Sequence, residues 1–178
     1  MIKRLLYATT IVLILSAARM FAQDKPAASQ KEQDPLAPLT WLVGGTWSVD
    51  VKDAQDGHIT HVLNRPAWSA NHRAIIFNVD FDGQPHYYGF YAYNPATKKI
   101  DFYYTSSDGE LTNGTATPDA DGKTLRQEFD IMHLNGTTGH LRSTIERDGE
   151  NAYWLTVFTS KTGQWQQAFR IRYQRKAE

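Results

Sequence analysis

The chain has 178 residues and no cysteine, and its nineteen basic side chains balance nineteen acidic ones. Residues 1–23 contain three basic and no acidic side chains, so a chain without them has sixteen basic against nineteen acidic residues, a net charge of −3 that excludes a broadly basic nucleic-acid-binding protein. The lack of cysteine excludes disulfides and lipid-modified cysteine, so stability must come from burial, and the length predicts one domain with a sizeable core.

Residues 1–23 have the pattern of a secretory signal peptide. Lys3 and Arg4 precede an apolar run that ends at Ala18, and small residues suited to cleavage follow before Gln23. The alternative is an uncleaved membrane anchor, for which the run is short. We therefore expect an exported, periplasmic or secreted protein with no stable membrane insertion once the signal is removed. Residues 24–38 are polar and contain several prolines, which predicts a flexible linker.

Residues 39–176 are predicted to form one all-β domain. Apolar and polar side chains alternate with period two between turn residues, as in antiparallel strands that bury one face. The first strand places Trp47, Val49 and Val51 on one face. Residues 35–43 alone predict a short helical turn.

Seven dipeptides that end in glycine divide the predicted strands, and they match the chemistry of tight hairpins. They are Asp56-Gly57, Asp82-Gly83, Asp108-Gly109, Asp121-Gly122, Asn135-Gly136, Asp148-Gly149 and Thr162-Gly163. Asn113-Gly114 is also expected to be a turn. Short hairpins between sequential strands produce a meander, and closure of that meander removes two exposed sheet edges. The pattern therefore predicts a single antiparallel up-and-down β-barrel of about 8–10 strands.

Two motifs in order give the chain a resemblance to a known superfamily. Leu39, Leu42, Gly45 and Trp47 fit "L..L.G.W", and Gly89, Tyr93, Asn94, Pro95 and Thr97 fit "G...YNP.T". With a basic residue in the last strand, these residues resemble the lipocalin and wider calycin superfamily, and in particular small exported bacterial lipocalin-like domains of unknown function. The resemblance covers about residues 39–173 and implies a lipocalin-like barrel with an internal ligand. Nitrobindin-like barrels bind haem through a histidine near the C-terminus, but no histidine follows His140, so haem is not implied.

Gly45, Trp47 and Arg172 form the predicted structural signature. Glycine allows the chain to cross tightly beneath the barrel, and Trp47 is expected to close that end. A guanidinium stacked on the indole would stabilise it by about 1 kcal/mol, and Arg172 is preferred over Arg170 as that partner. The opposite end of the barrel is then the expected entrance.

The predicted ligand-binding residues are His61, Arg73, Phe77, Tyr88, Phe90, Phe102 and Phe129. If the Trp47 face points inward, the expected lining is Val49, Ile75, Phe77, Phe90, Phe102, Phe129 and Ile145, although a one-residue shift in a strand exchanges its faces. His61 and Arg73 stand beside apolar residues and could orient a ligand. Tyr88 belongs to the aromatic run "YYGFYAY", which suits an amphipathic pocket or a barrel wall that meets water.

The sequence predicts no catalytic residue, metal site or cofactor. The six histidines lack the spacing of a compact metal site, and no nucleophile motif or metalloprotease motif is present. We expect an exported β-barrel that holds a small hydrophobic or amphipathic molecule. Two alternatives stay open, namely a calycin-like isomerase or cyclase that acts inside the barrel, and a structural or interaction module with a filled core. Ligand identity and oligomeric state are not predicted.

Overall fold

The computed structural model of the protein describes residues 34–177; the side chain of Lys161 lies outside the described part. The predicted signal peptide (1–23) and most of the predicted linker (24–38) therefore fall outside the described residues. The last five residues of that linker are described. Among them, Leu36 is only 2% exposed and belongs to the hydrophobic core.

The described chain consists of one short helix and eleven strands. A 3-10 helix, Ala37–Leu42, lies within residues 35–43 as predicted. The strands are β1 (Trp47–Lys52), β2 (Ile59–Asn64), β3 (Ala67–Trp68), β4 (Ala74–Phe81), β5 (Gln84–Asn94), β6 (Lys99–Ser106), β7 (Leu111–Pro118), β8 (Thr124–Met132), β9 (Thr138–Arg147), β10 (Ala152–Lys161) and β11 (Gln164–Arg175).

Ten of these strands form one closed antiparallel barrel. From β4 to β11 each strand pairs with the next, β11 pairs with β1, β1 pairs with β2, and β2 pairs with β4 to complete the circle. The two-residue β3 pairs with β4 alongside. The predicted all-β, single up-and-down barrel of about 8–10 strands is confirmed, and it is consistent with a lipocalin-like or calycin-like fold.

The hairpin turns follow the predicted chemistry at all seven glycines, whose φ angles lie between 66° and 86°. Asp82 and Thr162 also have positive φ, so two-residue turns join β4 to β5 and β10 to β11 with the twist that such hairpins need. The expected turn at Asn113-Gly114 is wrong, because this pair lies inside β7. Gly114 is opposite Phe129, and a Cβ on Gly114 would lie 2.4 Å from the Phe129 Cβ atom.

Trp47 closes one end of the barrel. Its side chain is fully buried, its indole Nε1–H donates to the Leu42 carbonyl at 2.8 Å, and its ring packs edge-on against Trp41 and Tyr153. The 3-10 helix supplies Leu39 and Leu42 to the same buried cluster. The closed end is thus built from the helix and the indole together.

The chain enters β1 through two glycines with positive φ, +78° at Gly44 and +136° at Gly45. The φ of Gly45 is one that side-chain-bearing residues rarely adopt, and a Cβ there would also lie 3.0 Å from the Arg175 guanidinium, so both the backbone and the arginine favour glycine. That guanidinium carbon stacks 4.4 Å from the Trp47 ring centroid, and its nitrogens donate to the Gly44 and Trp41 carbonyls.

The prediction that Arg172 stacks on Trp47 is therefore wrong. Arg175 is the residue directly opposite Trp47 in the β1–β11 register, whereas Arg172 lies on the outer face. There it pairs with Asp148 at 2.8 Å, and its guanidinium lies 5.9 Å from the Trp154 ring centroid.

The seam between β1 and β11 is short. In the described part of the chain these strands pair through two residue pairs, Trp47 with Arg175 and Ser48 with Gln174, and Lys176 N–H donates to the Thr46 carbonyl at 2.8 Å. Beyond Ser48, β1 pairs only with β2, and β11 continues against β10 alone. This seam is the shortest of the ladders between the ten barrel strands.

Candidate functional site

The barrel encloses a cavity of about 550 Å³. Inward-facing side chains from strands around the barrel line it, because alternate residues of each strand point to the interior. Its apolar lining includes Val62, Ile75, Phe77, Val79, Phe102, Phe129, Ile145 and Leu155. A barrel of this size can hold one small ligand.

The cavity runs from the closed end toward the opposite end of the barrel. Leu42 and Asn64 line it near Trp47, while Lys52 and Asp53, at the far end of β1, line it on the other side. Both of these charged residues are exposed, and so is Phe169, which lines the cavity from β11. The cavity therefore reaches solvent at the end opposite Trp47, where β1 and β11 no longer pair with each other.

Hydroxyl groups give the cavity a polar component without a charge. Five tyrosines line it: Tyr87, Tyr91, Tyr104, Tyr153 and Tyr173. Burial raises the pKa of every one of these phenols, that of Tyr87 to about 12, so all five are protonated at neutral pH. Among the described lining residues, the other ionisable side chains are Lys52 and Asp53 at the mouth.

A chain of hydrogen bonds crosses part of the lining. The Ser143 hydroxyl donates to Gln127 Oε1 at 2.7 Å, and Gln127 Nε2 donates to the Tyr91 hydroxyl oxygen at 3.0 Å. All three side chains are buried and line the cavity. Near the closed end, Asn64 Nδ2 donates to the Tyr153 hydroxyl at 3.3 Å, while the buried Asn64 Oδ1 has no partner among the described residues.

Three of the residues predicted to bind a ligand lie together in this cavity, namely Phe77, Phe102 and Phe129. The Phe102 ring centroid lies 5.6 Å from that of Phe129, and the rings of Phe77 and Phe102 both pack against Tyr91. The expected lining residues Ile75 and Ile145 are also present, whereas Val49 is half-buried and packs against the core.

Tyr88 and Phe90 lie on the outer face of β5, at 55% and 38% exposure, so the structure does not bring them into the cavity. Both faces of this strand are aromatic, and Gly89 decides which one is inside. A Cβ on Gly89 would lie 2.2 Å from the Tyr103 carbonyl oxygen and 2.7 Å from the Phe77 ring. The face of Tyr87, Gly89 and Tyr91 therefore packs inward, and Phe90 contacts Tyr103 outside.

His61 and Arg73 also lie outside the cavity. His61 is on the outer face of β2, where its Nδ1 pairs with Asp50 and the imidazole is 59% exposed. Arg73 is exposed just before β4, and its backbone N–H donates to the Ser69 hydroxyl. Neither side chain can orient a molecule inside the barrel in this arrangement.

Sequence reasoning did not select the polar side chains of the interior. Gln127 lies on the same strand face as Leu125 and Phe129, and Ser143 lies between Leu141 and Ile145 on its own face. A polar residue in a run of otherwise apolar inward positions was the available signal. It could not show that the two side chains pair, since that depends on the β8–β9 register.

The described residues contain no group of three or more acidic, histidine or cysteine side chains suited to a metal ion. The nearest approach is on the outer surface, where the His140 ring contacts Asp130 Oδ1 at 2.6 Å and Glu128 Oε1 at 3.1 Å. These contacts, and the Arg142 bond to Glu128 at 3.1 Å, are those of a solvated ion-pair network.

No protein-family model and no curated protein matches this chain. Within residues 34–177, no helix is long and apolar enough to cross a membrane. The functional conclusion therefore depends on the cavity and its chemistry.

Proposed function

We propose that the protein binds a small, uncharged, largely apolar molecule inside its barrel. The observation that carries the proposal is the cavity of about 550 Å³, closed at one end by Trp47 and lined by aromatic and aliphatic side chains. This volume lies within the range of ordinary small-molecule sites, and an apolar lining with a few placed polar groups is their usual composition.

The electrostatics of the lining favour a neutral ligand. A buried carboxylate or ammonium needs an opposite charge, and the described lining offers charged groups only at the mouth, in Lys52 and Asp53. The interior phenols are held in their neutral form by burial. They can form hydrogen bonds with a neutral molecule but cannot balance a charge.

The cavity favours binding over the alternative of a filled core, since a structural module would not need such a volume. A reaction inside the barrel would need an ionisable side chain buried beside the cavity, and the two candidates from the sequence, His61 and Arg73, are both exposed. No observation favours a second function strongly enough to place it beside ligand binding.

The proposal is tested by filling the cavity from one strand. Val79 points into the cavity and its neighbour Asn78 points to solvent, so the same substitution can be made on either face of β4. With 2-ethylnaphthalene as the probe, we expect saturable binding by the unaltered protein in calorimetry. Val79→Trp should weaken that binding about tenfold or more because the indole takes ligand volume.

Asn78→Trp is the matched control and should bind the probe as the unaltered protein does. Urea unfolding of both variants establishes that they are folded. Absence of saturable binding by the unaltered protein, or equal binding by Val79→Trp, would contradict the proposal. Native mass spectrometry of protein isolated from its own cells would then identify the class of any ligand that co-purifies.

We also propose that the protein is exported after removal of residues 1–23. The basic start, the apolar run and the small residues before Gln23 support this. Amino-terminal sequencing of protein from the periplasm or medium should find a start between Arg19 and Asp24. Recovery of the full-length chain from the cytoplasm would contradict it.

A further inference from the structure

The hydrogen-bond chain of Ser143, Gln127 and Tyr91 fixes which polar atoms face a ligand. The three residues come from β9, β8 and β5, and each is less than a tenth exposed. Gln127 and Ser143 are direct cross-strand partners, whereas Tyr91 lies three strands away in the barrel. Such a contact requires small inward side chains on the strand beside Gln127.

Strand β7 has small inward residues at this point. Ala116 is opposite Gln127 on β8, and Gly114 is opposite Phe102 on β6. With only a methyl group and a hydrogen there, the Gln127 carboxamide can extend across β7 and reach the Tyr91 hydroxyl at 3.0 Å. The chain of hydrogen bonds is therefore a built feature of the interior rather than a chance contact between neighbours.

The direction of the bonds follows from the carboxamide. Because the Ser143 hydroxyl donates to Gln127 Oε1, the amide nitrogen faces Tyr91 and donates to its oxygen. A phenol oxygen that accepts this bond still carries its own proton. Burial raises the pKa of Tyr91, so this proton is retained, and no side chain among the described residues accepts it.

We infer that the Tyr91 hydroxyl is the donor that recognises the ligand, and that the ligand is a neutral apolar molecule with a carbonyl or similar acceptor oxygen. The inference rests on the proposed function, since it names the chemistry of the molecule in the same cavity. Ser143 and Gln127 are positioning residues, because they orient the phenol without needing to touch the ligand.

Three naphthalenes of matched size test the inference: 2-acetylnaphthalene, 1-(2-naphthyl)ethanol and 2-ethylnaphthalene. We expect the ketone to bind about fivefold more tightly than the hydrocarbon, which corresponds to one net hydrogen bond, with the alcohol between them. Tyr91→Phe should reduce the ketone's affinity to that of the hydrocarbon. Tyr103→Phe, which removes a hydroxyl on the outer face of β6, is the matched control and should keep the preference.

Infrared spectroscopy of the bound ketone gives a second readout that a purely structural role would not move. A donated hydrogen bond lowers the carbonyl stretching frequency, so the band of the bound ketone should be shifted to lower frequency in the complexes with the unaltered protein and with Tyr103→Phe than in the complex with Tyr91→Phe. Gln127→Leu should weaken the shift, because the phenol loses the partner that directs it.

The outcomes separate this inference from the proposed function. If the hydrocarbon binds but the ketone binds no better, ligand binding stands and the role of Tyr91 is overturned. A tighter complex with the alcohol than with the ketone would overturn it too, since that order requires an acceptor in the cavity, such as the unpaired Asn64 Oδ1, in place of a donor. If none of the three compounds binds, the proposed function itself fails.

Discussion

Removal of the Arg175 side chain should destabilise the barrel far more than removal of Arg172. The Arg175 guanidinium stacks on the fully buried Trp47 ring at 4.4 Å and donates to the carbonyls of Gly44 and Trp41. Arg172 makes one exposed ion pair with Asp148. The two residues lie on the same strand, so their alanine variants form a matched pair.

The expected magnitude follows from these contacts. A cation over a desolvated indole contributes about 1–2 kcal/mol, and a hydrogen bond from a charged donor contributes about 1.5–3 kcal/mol. Because Arg175 is half-buried, water replaces part of both hydrogen bonds in the variant. We therefore expect Arg175→Ala to cost about 3 kcal/mol, or about 9 °C in Tm, and Arg172→Ala to cost less than about 1 kcal/mol.

Urea unfolding followed by tryptophan fluorescence measures both values. Arg175→Lys should recover only part of the loss, since an ammonium keeps the charge but not the two-pronged geometry that reaches both carbonyls. Equal destabilisation by Arg175→Ala and Arg172→Ala would refute the reasoning, because it would mean that the stacked position has no special energetic role.

Three further perturbations test other parts of the structure. Gly89→Ala places a Cβ 2.2 Å from a carbonyl oxygen and should lower the free energy of unfolding in urea by about 3 kcal/mol. Gly139→Ala, whose Cβ would have its nearest atom at 3.5 Å, should be nearly neutral, and similar losses of stability in both variants would contradict the packing argument. Phe102→Ala should cost about 4 kcal/mol and the exposed Tyr103→Ala less than about 1 kcal/mol, and equal costs would place the core elsewhere. Hydrogen bonds to two carboxylates raise the pKa of His140 above 6.5 in the folded protein. Its stabilising contribution is therefore full below about pH 6.5 and is lost as the pH rises through the pKa of the folded state. A titration midpoint at or below 6.5 in nuclear magnetic resonance would contradict this.

The barrel could be predicted from the sequence because its determinants are local. Alternation marks the strands, and glycine turns such as Asp82-Gly83 restrict neighbouring strands to hairpins. Closure follows from the cost of open sheet edges rather than from any single residue. The structural role of Gly45 and Trp47 could be predicted for the same reason, since both lie at or just before the start of β1.

The details of the site could not be predicted because they depend on contacts between distant strands. The inner face of β5 is decided by the fit of Gly89 against Tyr103 and Phe77, not by the aromatic content of either face. Likewise, the choice of Arg175 over Arg172 follows from the register in which β11 meets β1. Local alternation contains no information about either.

The short seam has a consequence for the order in which the barrel assembles. One of its two residue pairs is Ser48 with Gln174, which are 126 positions apart in the sequence. Closure of the barrel therefore costs more loop entropy than any other strand pairing, although the seam has the fewest residue pairs of the ladders between barrel strands. Strands β1 to β10 can all pair between segments that are close in the sequence, whereas the seam must bring the two ends of the domain together. We expect seam formation to be the slow, late step of folding, and the half-closed sheet before it to be the species most prone to strand exchange between chains.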